Sequence, residues 1–183
     1  MELSVVVSDI ADALRAIDAS AVPFKNFQPG VGPYGEPQLA KRICELLNNR
    51  EMYLGKVETK RTPDLLIRGK WALEIKIVRP FGDNGKEAEN WSVNLVHPYK
   101  GNVSLIGDCL KLRDSRLDER KAVVAIGYEH VPAQIDLEPL VRSFEAIATS
   151  VFSIPIGKRT SARRRDLIHP VHQQVVVHGW AVA

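Results

Sequence analysis

Eight residues, Trp71-Ala-Leu-Glu-Ile-Lys-Ile-Val78, constrain this chain more than any others. Their apolar, β-branched composition predicts a strand, yet Glu74 and Lys76 stand inside it. Alternate side chains of a strand share a face. Glu74 and Lys76 therefore fall on one face, and Leu73, Ile75 and Ile77 on the other. Just upstream, Asp64-Leu-Leu-Ile-Arg68 reads as a shorter strand, with Gly69-Lys70 as a tight turn between the two. If those two residues make up the whole turn, position 65 lies opposite 74 and Asp64 is a close diagonal neighbour of Glu74. Charges inside a sheet are costly unless they pair, face water or hold a metal.

The flanks of this hairpin supply the rest of a layered fold. Leu3, Val6, Ile10, Leu14 and Ile17 recur at helical spacing and predict a first helix ending before Pro23. Residues 23–35, with three prolines and three glycines, predict a loop. Glu36-Pro37 opens a second helix with Ala40, Ile43, Cys44 and Leu47 on its apolar face, stopping near Asn48-Asn49. Met52–Thr59 reads as a strand ahead of the hairpin. Residues 80–100 carry no period and predict a long loop, a length that is more often functional than inert. Asn102 is placed to cap a third helix running to about Asp114. A strand at Lys121–Tyr128, a helix from Asp136, and strands at Val151–Ile156 and Gln174–Val182 complete the chain, the last two separated by a basic connector. The expected architecture is one α/β domain over residues 1–183, a mixed central sheet flanked by helices.

Composition narrows the class of protein without naming an activity. A chain of 183 residues suits one domain with a real core. The net charge of +3 is too small for a whole-molecule polycation, so any attraction for nucleic acid must come from local clustering. Two cysteines do not make a disulfide framework or a cysteine-based zinc site. No signal-peptide pattern opens the chain, and no apolar run approaches the roughly 20 residues that cross a bilayer. The expectation is a cytoplasmic protein with no membrane partner. Neither a phosphate-binding glycine loop nor a dinucleotide fingerprint is present, so no small-molecule cofactor is expected.

The acid–acid–lysine set carries the chemistry. Two carboxylates held together repel, and one tends to protonate. Magnesium removes that conflict, because it takes a few carboxylates, a carbonyl and several waters. Asp64 and Glu74 are the expected metal ligands, with the Ile75 carbonyl as a further one. Lys76 beside them is placed to orient a water, to help it lose a proton, or to steady charge on a phosphate. Such parts hydrolyse phosphodiesters.

Pro63-Asp64, nine residues, then Glu74-Ile75-Lys76 resembles the motif of the PD-(D/E)XK nuclease superfamily, which includes restriction endonucleases and DNA-repair resolvases. The resemblance implies a restriction endonuclease-like core of helix, three antiparallel strands, helix and strand over residues 36–128. It implies a magnesium-dependent endonuclease acting on DNA, with manganese as a substitute ion. Many members carry a glutamate on the helix before the first strand, and Glu36 matches that role in sequence order. Cutting both strands of a duplex with one site per chain favours a homodimer. A nuclease acting on RNA or on branched or single-stranded DNA, and a non-catalytic DNA-binding or assembly module of the same fold, are the alternatives.

Further basic residues are candidates for phosphate contact. Lys111 shares a helix face with Ser104, Asp108 and Ser115, a pattern that a solvated face explains better than phosphate contact does. Lys158, Arg159, Arg163, Arg164 and Arg165 form a dense cluster. Lys100 lies in the loop after the triplet. His169-Pro-Val-His172 lacks the partners of a zinc set and reads as structural or phosphate-contacting. Trp91 and Tyr99 are aromatic groups able to stack on bases or to anchor the loop.

Overall fold

The computed structural model describes residues 1–97 and 104–183. Five helices and six strands follow one another as α1 (Leu3–Ala19), α2 (Glu36–Asn48), β1 (Val57–Glu58), β2 (Leu65–Ile67), β3 (Trp71–Val78), α3 (Val93–Val96), α4 (Leu105–Arg113), β4 (Arg120–Glu129), α5 (Glu138–Ala146), β5 (Thr160–Arg164) and β6 (Gln174–Val182). The strands form one open mixed sheet in the order β1-β2-β3-β4-β6-β5. Only β3 and β4 are parallel, and every other neighbouring pair is antiparallel.

Both faces of the sheet are covered, which is why β3 and β4 read as nearly continuous apolar runs. On one face α1 and α2 pack Val6, Ile10, Leu14, Leu39, Ile43 and Leu47 against Leu73, Ile75, Ile77, Val124 and Ile126. On the other, α4 and α5 bring Ile106, Cys109, Leu112, Val141 and Phe144 against Val78, Val123, Ala125 and Trp180. Glu74 and Lys76 belong to this second face by alternation, so they lie beneath α4. Among the described residues no helix is long and apolar enough to cross a membrane.

Several local expectations need correction. Met52–Thr59 is not a strand: Glu51–Tyr53 is a 3-10 turn, Gly55 turns the chain at φ +66°, and only Val57–Glu58 pairs. The Asn48 side chain holds both the N–H and the carbonyl of Val57, occupying backbone groups that a longer strand would use. The hairpin turn has three residues, Arg68-Gly69-Lys70, with Gly69 at φ +66°, so Leu65 faces Leu73 and not Glu74. Residues 80–97 are not featureless. Phe81 bridges to Glu87, Gly82 N–H bonds the Lys86 carbonyl at 2.8 Å, and α3 follows. Asn102 and Lys100 lie outside the described residues, and α4 is capped by Ser104, whose Oγ accepts from Gly107 N–H.

The end of the chain also differs. Val151–Ile156 makes no strand; α5 runs on into a π-helical turn over Ile147–Val151, and only Ile156 bridges to Val182. The basic stretch expected as a connector is instead the edge strand β5, paired along β6. Alternation and pairing explain it: Ala162 packs toward the core, Arg163 on the other face meets Glu129, and Arg164, on the face of Ala162, meets Asp12 of α1.

The two histidines of the His169-Pro-Val-His172 segment are structural. His169 Nδ1 accepts the N–H groups of Val171 and His172, so its proton sits on Nε2 and is donated to Asp83 Oδ1 at 2.7 Å. His172 Nε2 donates to the Phe81 carbonyl. These bonds fasten the 80–88 hairpin to the segment before β6. Gly32 is required beneath them, since a Cβ there would lie 2.0 Å from His172 Nδ1.

Candidate active site

The site lies where β2 stops and β3 continues. Beyond Leu65 the outer edge of β3 has no strand partner among the described residues, and side chains complete it. Asp64 Oδ2 accepts the Ile75 N–H at 2.8 Å, Glu36 Oε1 accepts the Ile77 N–H at 3.0 Å, and Asn94 Nδ2 donates to the Ile77 carbonyl at 3.0 Å. The N–H and carbonyl of one strand residue point the same way, so the Ile75 carbonyl opens on this edge too. The three-residue turn moves the register by one from that expected. Extended one step beyond the Leu65–Leu73 pair, it sets Asp64 directly across from Glu74 rather than diagonal to it.

Glu36 arrives from the start of α2, where Pro37 occupies the first turn and Gly35 precedes it. Its other oxygen, Oε2, accepts from Lys76 Nζ at 3.1 Å. From α4, Asp108 approaches the same ammonium at 3.4 Å and meets Lys111 Nζ at 2.9 Å. Lys111 in turn stands 3.2 Å from Glu74 Oε1. A chain of alternating charges thus runs Glu36–Lys76–Asp108–Lys111–Glu74, with Asp64 at its end. The side chains of Glu74 and Asp108 are each 3% exposed and Lys76 8%, whereas Glu36 at 31% and Lys111 at 44% reach solvent.

Burial decides the electrostatics. It pushes the Glu74 carboxyl up to about 8, helped by the charges of Asp64 and Asp108 and opposed by Lys111. Burial draws the Lys76 ammonium down, but Asp108 and Glu36 outweigh it and hold the group above its ordinary value. Lys76 is therefore a fixed cation in this state. That suits it to steadying an anionic phosphate and to donating hydrogen bonds, not to removing a proton.

No protein-family model matches the chain, and it has no match among the curated proteins or the solved structures.

Among the described residues no three His, Cys, Asp or Glu side chains stand as a ready metal-binding group. Glu74 Oε1 and Asp108 Oδ2 are nonetheless buried without a hydrogen bond, since the lysines near them lie at ion-pair distance but not in hydrogen-bond geometry. Buried carboxylate oxygens short of donors, together with Asp64 and an edge carbonyl, form an all-oxygen set. Its chemistry fits a hard divalent cation. In this state the ammonium of Lys111 supplies the compensating charge.

The structure brings Glu36, Asp64, Glu74, Ile75, Lys76 and Lys111 together. It adds Asp108, which sequence reasoning left on a solvated helix face; Ser104 and Asp108 are in fact buried. The missed signal was phase, because Asp108 sits one residue from Cys109 and between Leu105 and Leu112 on the inward side of α4. The arginine cluster lies elsewhere. β5 is the far edge of the sheet, three strands or about 14 Å from β3. Arg159 pairs with Glu138 and Glu145, Arg163 with Glu129, and Arg164 with Asp12. Lys158 and Arg165 are exposed on that edge.

Proposed function

We propose that this protein is a magnesium-dependent endonuclease that hydrolyses DNA phosphodiester bonds, in a restriction- or repair-like role. The observation that carries the reading is the convergence of Asp64, Glu74 and Lys76 on the unpaired edge of β3, with buried carboxylate oxygens lacking donors. In support, α2, three antiparallel strands, the helices α3 and α4 and the parallel strand β4 follow one another in the chain, an order similar to the helix, three strands, helix and strand of the PD-(D/E)XK resemblance.

Asp64, Glu74 and the Ile75 carbonyl are the groups that would hold magnesium, and Glu36, on the same strand edge, would serve as a further ligand or water contact. Bound there, the ion would supply an activated water and neutralise charge on the phosphate. The protein's own part is positional. Glu36 and Asp108 hold Lys76 extended and protonated, so its ammonium faces the edge where a phosphate oxygen would lie. Lys111, 44% exposed and paired with Glu74 and Asp108, is the cation whose place a bound metal would take; turned outward, it would add a second positive charge at the rim. Manganese is the expected substitute ion, and a homodimer is the assembly that cuts both strands of a duplex.

The second reading is a non-catalytic nucleic-acid-binding module. What favours it is that Asp64 and Glu36 already cap β3 backbone groups and Lys111 already neutralises Glu74, so the network is self-consistent without a metal. Incubating the protein with supercoiled plasmid, linear duplex, junction DNA and RNA, in magnesium or in chelator, separates the two. Metal-dependent cutting of DNA supports the nuclease; a gel shift with every substrate intact supports the module; cutting confined to RNA moves the activity to that substrate.

A further inference from the structure

A groove of about 440 Å³ opens beside the catalytic edge, bounded by Ile77, Arg79, Phe81, Glu89, Trp91 and Asn94 among others. We infer that it receives a single unstacked nucleobase next to the scissile phosphate, so that the substrate carries an unpaired or extruded nucleotide. The inference rests on the nuclease reading for its placement and goes beyond it in naming the substrate's form.

Position comes first. The groove begins at Ile77, the residue after Lys76, and Asn94 ties the two walls together through the Ile77 carbonyl. A strand bound with its phosphate at Lys76 must pass this opening. The groove's volume lies within the roughly 300–1,000 Å³ of small-molecule sites.

The lining then selects among the parts of a nucleotide. Arg79 is a cation on this wall, and its Nη1 is already given to the Gly32 carbonyl at 2.7 Å. Glu89 stands among the same lining residues, and a carboxylate repels a phosphate. A base is different: it is neutral, presents amino and imino donors that Glu89 accepts, and offers edges that Asn90 and Asn94 can bond. Phe81 and Trp91 supply aromatic surface, on which any base stacks. Extrusion from a duplex costs least where the nucleotide is mismatched or already unpaired.

The wall is also firmly held. Phe81 rests edge-on against His130 at 4.7 Å between ring centroids, its carbonyl accepts from His172, and Asp83 of the same hairpin is bonded by His169. Ala88 N–H bonds the Pro80 carbonyl at 2.8 Å, closing the hairpin base. A preformed slot of this kind loses little freedom when a base enters.

Tryptophan emission reads the inference without any cleavage. Of the three tryptophans, Trp71 and Trp180 are buried at 3% and 0% exposure, so Trp91 alone is partly open. The full protein is titrated in chelator with a short single-stranded oligodeoxycytidylate, with a blunt duplex, and with the same duplex carrying one unpaired cytidine. The expected result is quenching by the single strand and by the unpaired duplex, little by the blunt duplex, and none in Trp91→Phe. Fluorescence anisotropy of labelled oligonucleotide should show roughly tenfold weaker binding in Trp91→Leu. Glu89→Ala, a surface change that should not disturb folding, should lower affinity for cytidine-containing strands more than for abasic ones. Equal quenching by the blunt duplex, or affinity unchanged in both Trp91→Leu and Glu89→Ala, overturns the inference. The two readings fail separately: plasmid cut in magnesium with Trp91 silent removes the base slot alone, while quenching without cutting removes the nuclease alone.

Discussion

At the scale of single residues, Glu74 shows a site built against stability. Its side chain is 3% exposed, and the carboxylate faces Asp64 and Asp108 and has an oxygen with no hydrogen bond among the described residues. A buried carboxylate of this sort is expensive even with Lys111 beside it. Glu74→Gln keeps the shape and removes the repulsion, so the folded protein in chelator should gain about 2 kcal/mol against urea at pH 8–9. The same variant should lose phosphodiesterase activity. A destabilised Glu74→Gln would mean that the Lys111 ion pair holds the fold and that the carboxylate is there for packing. Asp108 belongs to the same logic from the other side, as the anion between two lysines.

At the scale of elements, the hairpin decides whether the charges meet. Its existence was legible: the apolar run from Trp71, the shorter run from Leu65 and the glycine between them specify two paired strands. The register was not, because a two-residue and a three-residue turn differ only in how Arg68 is used, and no side-chain pattern distinguishes them. Gly69 at φ +66° is the residue that sets it. A Cβ there would touch nothing within 4 Å, so Gly69→Ala should cost only the conformational term, about 1 kcal/mol by urea denaturation. A loss well beyond that would show the turn adjusting and Asp64 leaving Glu74, and activity would then fall with it. Similar reasoning explains the edge strand β5. Arginine-rich segments read as connectors, but Arg159, Arg163 and Arg164 each find an acid contributed by α5, β4 or α1, partners that are distant in sequence. The Glu36 match was legible through the resemblance; its bond to the Ile77 N–H depends on how α2 begins against the edge of β3.

For the whole molecule, one buried and one partly buried histidine set the acid limit. Burial chiefly pulls both His172 and His178 down to about 4 from 6.5. Arg79, His169 and Asp83 face His172, and Arg159, Glu138 and Arg163 face His178. Because the folded values are depressed, the unfolded chain binds more protons between the two values. The stabilisation is complete above about pH 6.5 and is lost as the pH falls toward 4, by roughly 3 kcal/mol per histidine at the limit. Thermal melts across that window should show it, and His178→Gln should remove about half of the slope. A flat profile would mean that neither imidazole is held neutral. Acid loosening through His172 would also free the hairpin that walls the base groove.

The central claim is that the charges on the β3 edge form a metal-dependent phosphodiesterase, and nicking of supercoiled plasmid tests it most directly. Wild-type protein, Glu74→Gln and Lys76→Ala, each shown folded by circular dichroism, are compared in magnesium and in chelator. The account predicts magnesium-dependent nicking by the wild type alone, with both variants reduced at least about a hundredfold. Wild-type rates in Lys76→Ala, or nicking that survives chelation, would contradict it.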